Sequence, residues 1–194
     1  VKYGAKKKID IISNGIDLEK YSKKRLKKGL FKEKYGLNND FIFLYVGRLM
    51  LEKNVEMLIK SFSLINNKNN FKLVIVGEGS HGSNLKETIK KLKIEKQVIF
   101  TGWVDDETKM QAYNDSDVFI LPSLVELEGI VILEAMSYGK PILVSNSKDS
   151  AARFFVEEGV NGFLFDPKNN KKLAEKMVLM SKNKDILIKM GKQS

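Results

Sequence analysis

The sequence predicts an α/β domain built on a doubly wound, mostly parallel sheet. Five short apolar runs, rich in β-branched and aromatic residues, alternate with stretches whose apolar residues recur at helical spacing. Near-continuous apolar strands are typical of parallel sheets that helices cover on both faces. The 194 residues suffice for one domain with a sizeable core, so we assign 1–194 to a single domain and 1–22 to a linker with a first strand.

The strands are expected where the apolar runs lie. In chain order they are Phe41–Val46, Phe71–Val76, Gln97–Phe100, Val118–Leu121 and Pro141–Val144. A further strand or linker strand is expected at Ile9–Ile12. Ser22–Gly29 and Asn66–Asn70 are polar and are expected to form solvated loops.

The helices are expected between these strands. The apolar sets that repeat at helical spacing are Val55, Leu58, Ile59 and Phe62, then Leu85, Ile89 and Leu92, and later Leu173, Met177 and Met180. A short helix is predicted from about Ile130 to Tyr138, and Asp105 with Asp106 should begin another as its N-cap.

The composition is strongly basic, with a formal net charge of +10 and only three arginines, at positions 25, 48 and 153. One interpretation of this charge is a general preference for Lys and Asn in the sequence. A basic surface would also favour phosphate ligands or an anionic membrane leaflet. No nucleic-acid partner is expected, because aromatic residues are not interleaved with the lysines. The chain has no cysteine and no apolar run of about 20 residues, which together favour a cytoplasmic location.

Small, polar and charged residues follow each predicted strand. These segments are Gly47-Arg48, Gly77-Glu78-Gly79-Ser80, Thr101-Gly102-Trp103, Pro122-Ser123 with Glu126, and Ser145-Asn146. Ligands bind at the carboxyl ends of the strands in open α/β sheets. The ligand site is therefore expected at this edge of the sheet.

Two of these segments suit a phosphorylated ligand. Gly47 lets the backbone approach a ligand closely, Arg48 offers a planar fork to phosphate oxygens, and Lys53 adds a point charge. The alternative is that Arg48 and Lys53 pair with Glu52 or Glu56 at the surface. In the second segment Gly129 precedes the short helix, whose first amides could bind an anion. Glu134, flanked by apolar residues, should be partly buried and is expected to bond sugar hydroxyls. The alternative for Glu134 is a capping or ion-pair role.

In the segment Leu121–Gly139, Glu126 and Glu134 are separated by seven residues, with Gly129 among them, and Glu-Ala-Met-x-x-Gly-x-Pro runs to Pro141. This segment resembles the signature of retaining GT-B glycosyltransferases of family 4. Other matching segments, in order, are Asn14–Asp17, Val46–Leu49 with Glu52–Asn54, Val76–Gly79, Thr101-Gly102, Asp117 with Leu121–Ser123, and Asn161–Leu164. The resemblance spans nearly the whole chain and implies the Rossmann-like, C-terminal donor-binding half of a GT-B fold.

The resemblance also implies residue roles. Arg48 and Lys53 would hold the donor's diphosphate, Glu134 would bond the ribose hydroxyls and Glu126 would contact the donor sugar. The implied catalytic residues are Glu126, Arg48 and Lys53, and the implied donor-binding residues are Gly47, Arg48, Lys53, Gly77, Gly79, Val104, Glu126, Gly129, Ile130, Val131 and Glu134. Leu127-Glu128 stand where many members carry Gly-Phe or Ser-Phe, so the donor sugar is not implied.

The implied activity is hexosyl transfer, with retention, from a nucleoside-diphosphate sugar to a sugar, lipid-linked sugar or lipid. Such transfer would serve surface polysaccharide, capsular polysaccharide or glycolipid biosynthesis and would need neither metal nor other cofactor. A missing N-terminal domain would bind the acceptor, so the isolated domain is expected to be inactive. The enzyme would work in the cytoplasm, peripherally on the inner face of the membrane, with an anionic membrane surface as a further partner.

Three alternatives remain open. Gly77–Gly82 spells the Gly-x-Gly-x-x-Gly fingerprint of an NAD-dependent oxidoreductase, although it follows the second strand and lacks the acidic residue expected about 20 positions later. A GT-B-like sugar-nucleotide epimerase shares the two-domain plan, although the pair Glu126 and Glu134 favours transfer over epimerisation. The third alternative is a nucleotide-binding module without activity. Asp115-Ser116-Asp117 spells a metal motif, but it precedes a strand and is predicted to pack at the strand entry. His81 is expected in a solvated loop without a partner.

Overall fold

The computed structural model describes residues 15–21, 26–37, 39–66 and 70–194. The helices are α1 Leu30–Tyr35, α2 Val55–Ser63, α3 Gly82–Leu92, α4 Asp106–Asp115, α5 Ile130–Ser137, α6 Asn170–Lys182 and α7 Lys184–Gln193. The strands are β1 Phe41–Val46, β2 Phe71–Val76, β3 Val98–Gly102, β4 Val118–Leu121, β5 Ile142–Ser145 and β6 Gly162–Phe165. The predicted strand Ile9–Ile12, Asn14, and positions 22–25 and 67–69 of the two predicted loops lie outside the described residues.

The six strands form one parallel sheet in the order β3-β2-β1-β4-β5-β6. The order reverses between β1 and β4, so the chain winds outward in both directions from the centre of the sheet. Helices alternate with the strands, and every residue of β4 and β5 is buried. The doubly wound, parallel α/β fold predicted from the apolar runs is therefore confirmed.

Three strands have the predicted bounds, and the predicted β3 and β5 begin one residue too early and end two residues and one residue too early, respectively. Pro141 has no N–H to donate to a neighbouring strand, but its carbonyl accepts the Phe119 N–H at 3.0 Å just before β5 begins. Gln97 uses its N–H in the turn before β3, where it donates to the Ile94 carbonyl at 3.0 Å. Each of these two predicted strands therefore included, at its start, a residue that belongs to the preceding turn.

The sixth strand was not predicted. It begins at Gly162, where an added Cβ atom would lie 2.0 Å from the Ile142 carbonyl oxygen on β5. The strand can approach β5 only because this position has no side chain. Glycine at a strand end is usually a turn signal, so the sequence pattern concealed β6.

The predicted helices at 55–62, 85–92, 130–138 and 173–180 are confirmed, and Asp105 caps α4 by accepting the Thr108 N–H at 2.7 Å. Helices α1 and α7 were missed. Part of the predicted solvated loop 22–29 is also wrong, because Leu26 packs against the core and the Gly29 N–H donates to Asp115 at 2.7 Å.

The Asp-x-Asp motif serves the fold, as predicted. The Asp115 carboxylate accepts the N–H groups of Gly29 at 2.7 Å and Phe31 at 2.9 Å, and so fixes the amino end of α1. Asp117 accepts the Ile42 N–H at 2.7 Å and ties β1 to the entry of β4. In the described ranges no group of three or more His, Cys, Asp or Glu residues has metal-binding geometry. None of the described helices is both long and apolar enough to span a bilayer.

We expect Asp115→Asn to lower the free energy of unfolding by about 1–3 kcal/mol, because the amide cannot accept the same backbone N–H groups with both of its terminal atoms. Urea unfolding followed by circular dichroism measures the change. Asp149→Asn is the matched control, since Asp149 is exposed, and it should stay within about 0.5 kcal/mol of the unaltered chain. Equal loss in both variants would contradict a capping role for Asp115.

Candidate functional site

Two adjoining grooves open at the carboxyl edge of the sheet and share Val46, Gly47 and Arg48. The first, which we call the α5 groove, has a volume of about 490 Å³. Its lining includes Gly47, Arg48, Lys53, Glu126, Gly129, Ile130 and Val131. The second, the glycine groove, has a volume of about 540 Å³, and its lining includes Gly47, Arg48, Gly77, Gly79 and Val104. The structure thus brings ten of the eleven predicted donor-binding residues to one edge, and the exception is Glu134.

The glycine groove has a floor of backbone because the loops after β1, β2 and β3 are hydrogen-bonded to one another. The Leu49 N–H donates to the Glu78 carbonyl and the Gly77 N–H to the Gly102 carbonyl, both at 2.9 Å. Gly77 has a φ of +129°, and a Cβ there would lie 2.1 Å from the Gly47 carbonyl oxygen. No residue with a side chain could occupy position 77 without separating the loops.

Arg48 and Lys53 reach the α5 groove in different electrostatic settings. Arg48 is exposed and, among the described residues, has no ion-pair partner. The Lys53 ammonium lies 2.7 Å from Glu126 Oε2, and both side chains are largely buried. The alternative pairing of Lys53 with Glu52 or Glu56 is wrong, since Glu56 pairs with Lys60 at 2.8 Å. A free arginine and a neutralised lysine therefore flank the same groove.

Glu126 is held in place from two directions. Its Oε2 atom accepts from Lys53 and, at 3.2 Å, from the buried Ser123 hydroxyl. Its backbone N–H donates to the Asp149 carbonyl at 3.3 Å, and its carbonyl accepts the Ala151 N–H at 2.8 Å. Because both side-chain contacts use Oε2, the Oε1 atom can accept a hydrogen bond from a ligand in the groove.

The amino end of α5 faces the α5 groove. Gly129 is the N-cap residue with a left-handed φ of +67°, and a Cβ there would lie 3.3 Å from the Ala152 methyl carbon. Within the described part of the chain no side chain caps this end. The first amides of α5 and its helix dipole are therefore directed at the groove, where an anion would be stabilised.

Glu134 does not line either groove, and the partners that its carboxylate has in this structure are protein groups. The residue is 5% exposed, and its carboxylate accepts from Tyr21 Oη at 2.6 Å, Tyr113 Oη at 2.8 Å and Lys109 Nζ at 3.0 Å. Protein groups supply the partners that a buried carboxylate requires. Lys109 connects this cluster to the glycine groove, which it lines together with Asp106.

The groups around Glu134 titrate abnormally. Burial alone would lower the pKa of the Lys109 ammonium, but the hydrogen bond and the charge of Glu134 outweigh burial and raise it. Burial, reinforced by Glu134, raises the pKa of Tyr21 and raises that of Tyr113 well above its usual value. The cluster therefore favours the charged form of the ammonium and the neutral forms of the two phenols.

Sequence reasoning missed Tyr21, Lys109 and Tyr113 as members of this site. Lys109 and Tyr113 are four positions apart on α4, so they share one face of that helix. Nothing in the spacing shows that this face meets Glu134, which lies 25 positions after Lys109, or Tyr21, which lies 88 positions before it. Trp103, whose side chain is 72% exposed beside the glycine groove, was noted only as a residue that follows a strand.

The prediction that His81 lies in a solvated loop without a partner is wrong. Its side chain is only 16% exposed, it precedes α3 as N-cap residue, and its Nε2 atom lies 3.9 Å from Glu56 Oε2. The fingerprint to which it belongs follows β2, and β2 is not adjacent to the point where the strand order reverses. His81 thus belongs to the contact between α3 and α2.

Comparison with known proteins identifies relatives over most of the chain. The profile of the family described as "Glycosyl transferases group 1" matches residues 27–194. The chain is 37% identical over 165 residues to an Escherichia coli UDP-Gal:alpha-D-GlcNAc-diphosphoundecaprenol alpha-1,3-galactosyltransferase, with 82% of this chain and 41% of that protein covered. It is 32% identical over 169 residues to a capsular polysaccharide biosynthesis glycosyltransferase of Staphylococcus aureus, with 85% and 43% covered.

A solved structure shows the same fold. The Anabaena protein HepE in complex with UDP-glucose superposes with a TM-score of 0.84 at 25% identity, covering 95% of this chain and 50% of that one. The chain thus spans about half or less of the length of these proteins. The comparisons give no support to an oxidoreductase or an epimerase.

Tyr138 permits a test of the tyrosine environment around Glu134. Burial raises its pKa to about 12, and its buried hydroxyl has no hydrogen-bond partner among the described residues. A raised folded pKa means that the folded state keeps its proton while the unfolded state loses it above about pH 10. The stability that this tyrosine contributes is therefore complete below about pH 10 and is lost as the pH rises toward about 12.

We expect the free energy of unfolding to fall above pH 10 by about 1.4 kcal/mol per pH unit for each such tyrosine. Tyr138→Phe should remove the contribution of one titrating tyrosine from this slope. The free energy of unfolding at pH 7 should be unchanged or higher, because no hydrogen bond is lost. Urea unfolding at several pH values measures both quantities. An unaltered alkaline slope in Tyr138→Phe would show that this phenol titrates normally.

Proposed function

Because the chain belongs to the group 1 glycosyltransferase family, we propose that it binds the nucleotide-sugar donor of a hexosyl transfer that proceeds with retention. One observation carries the proposal. Arg48, Lys53, Glu126 and the uncapped amino end of α5 meet around a single groove at the carboxyl edge of the sheet. Two cations, a helix dipole and a carboxylate suit a ligand that joins a diphosphate to a sugar.

In this proposal the donor's diphosphate lies in the α5 groove against Arg48 and the first amides of α5. Arg48 is exposed and its fork is available for bidentate contacts to phosphate oxygens. When the bond between sugar and diphosphate breaks, negative charge grows on the departing diphosphate. Positive groups fixed before the reaction stabilise that charge without reorganising, and we assign this role to Arg48, Lys53 and α5. No metal is required in this scheme.

Glu126 is proposed to contact the donor sugar. Its Oε2 atom is held by Lys53 and Ser123, which leaves Oε1 to accept a sugar hydroxyl. Lys53 then has two tasks, since it orients Glu126 and adds positive charge near the diphosphate. Leu127, which is 83% exposed, and Glu128 line the same groove and are placed to influence the choice of sugar.

The nucleoside half of the donor is assigned to the glycine groove. Its floor is the backbone of Gly77 and Gly79, Val104 lies on its wall, and the exposed ring of Trp103 stands beside it. The Anabaena protein, solved with UDP-glucose, supports a uridine diphosphate as the first nucleotide to test. Glu134 is the proposed partner of the ribose hydroxyls, and Lys109 provides its connection to the groove.

The acceptor is proposed to bind outside this chain. The relatives are about twice as long, and we assign acceptor binding to an N-terminal domain in the part that this chain does not match. This chain would then be the C-terminal donor domain, unable to transfer sugar alone. The names of the relatives support a lipid-linked sugar as the acceptor class and capsular polysaccharide biosynthesis as the process. We further propose, from the basic charge of the chain, that the transfer takes place in the cytoplasm at the inner membrane face.

We expect calorimetric titration of this chain with UDP, GDP, ADP and NAD, in the presence of EDTA, to show binding of one nucleoside diphosphate. Arg48→Ala should weaken that binding about tenfold to a hundredfold, because a charge-assisted bidentate contact is lost. Lys91→Ala is the matched control, since Lys91 is an exposed cation on α3 outside both grooves. The fluorescence of Trp103, the single tryptophan, gives a second reading.

Binding of NAD alone would contradict the proposal, as would equal weakening by Arg48→Ala and Lys91→Ala. The second result would show that net charge, and not the groove, attracts the nucleotide. EDTA removes divalent ions, so binding that disappears in its presence would contradict the metal-free scheme.

The net charge of +10 motivates a second experiment on location. We expect the chain to sediment with vesicles of anionic phosphatidylglycerol but not with neutral phosphatidylcholine, and added salt should release it. Equal recovery in the two supernatants would contradict a role for the basic surface at a membrane. Donor binding would be unaffected by that outcome.

A further inference from the structure

The carboxylate of Glu134 is already occupied. An ionised carboxylate accepts hydrogen bonds at about four lone-pair positions. Oε1 accepts from Tyr21 and Lys109, and Oε2 accepts from Tyr113. One position remains, on Oε2, while a ribose offers two neighbouring hydroxyl donors. Glu134 can therefore bond both hydroxyls only if one of its protein partners withdraws.

The three partners differ in how firmly they are held. Tyr113 is fully buried in α4. The centroid of its ring lies 6.0 Å from that of Tyr138, on which it stacks, and 5.8 Å from that of Phe119. Its withdrawal would disturb the core. Lys109 carries a charge that the buried carboxylate requires, so its removal would leave Glu134 without a counter-ion.

Tyr21 is the partner that is displaced most easily. It belongs to the segment 15–21, which forms neither helix nor strand and is held by a turn in which the Tyr21 N–H donates to the Asp17 carbonyl at 3.0 Å. Ile16 of this segment packs against the core, and the Tyr21 hydroxyl also accepts from Lys109 Nζ at 3.2 Å. The Lys20–Asp106 pair is about half exposed and so contributes little. The Tyr21 hydroxyl donates to Glu134 Oε1 at 2.6 Å, which is the shortest of the three contacts to Glu134.

We propose that the Tyr21 hydroxyl is a resident competitor for the donor nucleotide at Glu134, occupying the Oε1 position that a ribose hydroxyl takes when the donor binds. The inference rests on the proposed function, because it takes Glu134 as the ribose-binding residue. Donor binding then breaks the hydrogen bond between Tyr21 and Glu134. It also releases the segment 15–21 from α5. Tyr21 thereby lowers the affinity for the nucleotide and couples occupancy of the site to the segment that precedes the sheet.

The test is a substitution expected to strengthen binding by removing a hydrogen bond. In Tyr21→Phe the competing hydroxyl is absent, so UDP should bind about fivefold more tightly than to the unaltered chain. A uridine diphosphate that lacks both ribose hydroxyls should bind the two chains equally. Tyr35→Phe is the matched control, because Tyr35 packs on Phe31 away from the grooves and should leave both titrations unchanged.

Two results would overturn the inference. One is equal or weaker binding of UDP by Tyr21→Phe, and the other is a gain in affinity that persists with the deoxygenated nucleotide. If the unaltered chain binds UDP and Tyr21→Phe binds it no better, only this inference fails and the donor site stands. If neither chain binds any nucleotide, the proposed function fails and this inference fails with it.

A second measurement decides the matter if Tyr21→Phe does not fold. Hydrogen exchange of the unaltered chain is compared with UDP and with the deoxygenated nucleotide. Release of Tyr21 from Glu134 should speed exchange at the amides of Glu19, Lys20 and Tyr21 with UDP alone. Unchanged or slower exchange in this segment with UDP would contradict displacement.

Discussion

The site depends on the reversal of strand order between β1 and β4. Because the chain winds from β1 toward β3 on one side and from β4 toward β6 on the other, the loops after β1 and β4 separate and leave a crevice. One loop carries Arg48 and Lys53, and the other carries Glu126 and the amino end of α5. The Lys53–Glu126 pair at 2.7 Å joins the two sides. No single motif builds this arrangement; it follows from which strands are neighbours.

Much of the fold could be predicted from sequence because the central strands are buried on both faces. Burial on both faces leaves a continuous apolar run, and β1, β2 and β4 were placed with their observed bounds. The elements that were missed are stabilised by distant residues. The start of α1 is fixed by Asp115, which lies more than 80 positions further along the chain. The start of β6 requires a glycine because the Ile142 carbonyl on β5 lies against it. Local patterns carry no record of such contacts.

The site residues could be predicted to the same extent and for the same reason. A strand's carboxyl end is visible in the sequence, so Gly47, Arg48, Gly77 and Gly79 could be expected at this edge, whereas Val104 was named through the family resemblance. The environment of Glu134 could not be predicted, because Tyr21 reaches it from the segment 15–21 and Lys109 and Tyr113 reach it from α4, both distant in the sequence. A buried carboxylate needs partners, and that rule is silent on whether protein or ligand provides them. In this chain the protein provides them, which changes Glu134 from an open acceptor into an occupied one.

The central position of β1 also bears on how the chain is made. Phe43 pairs with Leu73 on one side, a partner that follows soon in synthesis, and with Val118 on the other, which is translated much later. Until β4 leaves the ribosome, one edge of an almost wholly apolar strand has no partner, and such an edge can pair with another chain. Pairings between distant segments also form slowly. The reversal that opens the crevice therefore prolongs a stage of folding at which aggregation competes and a chaperone is useful.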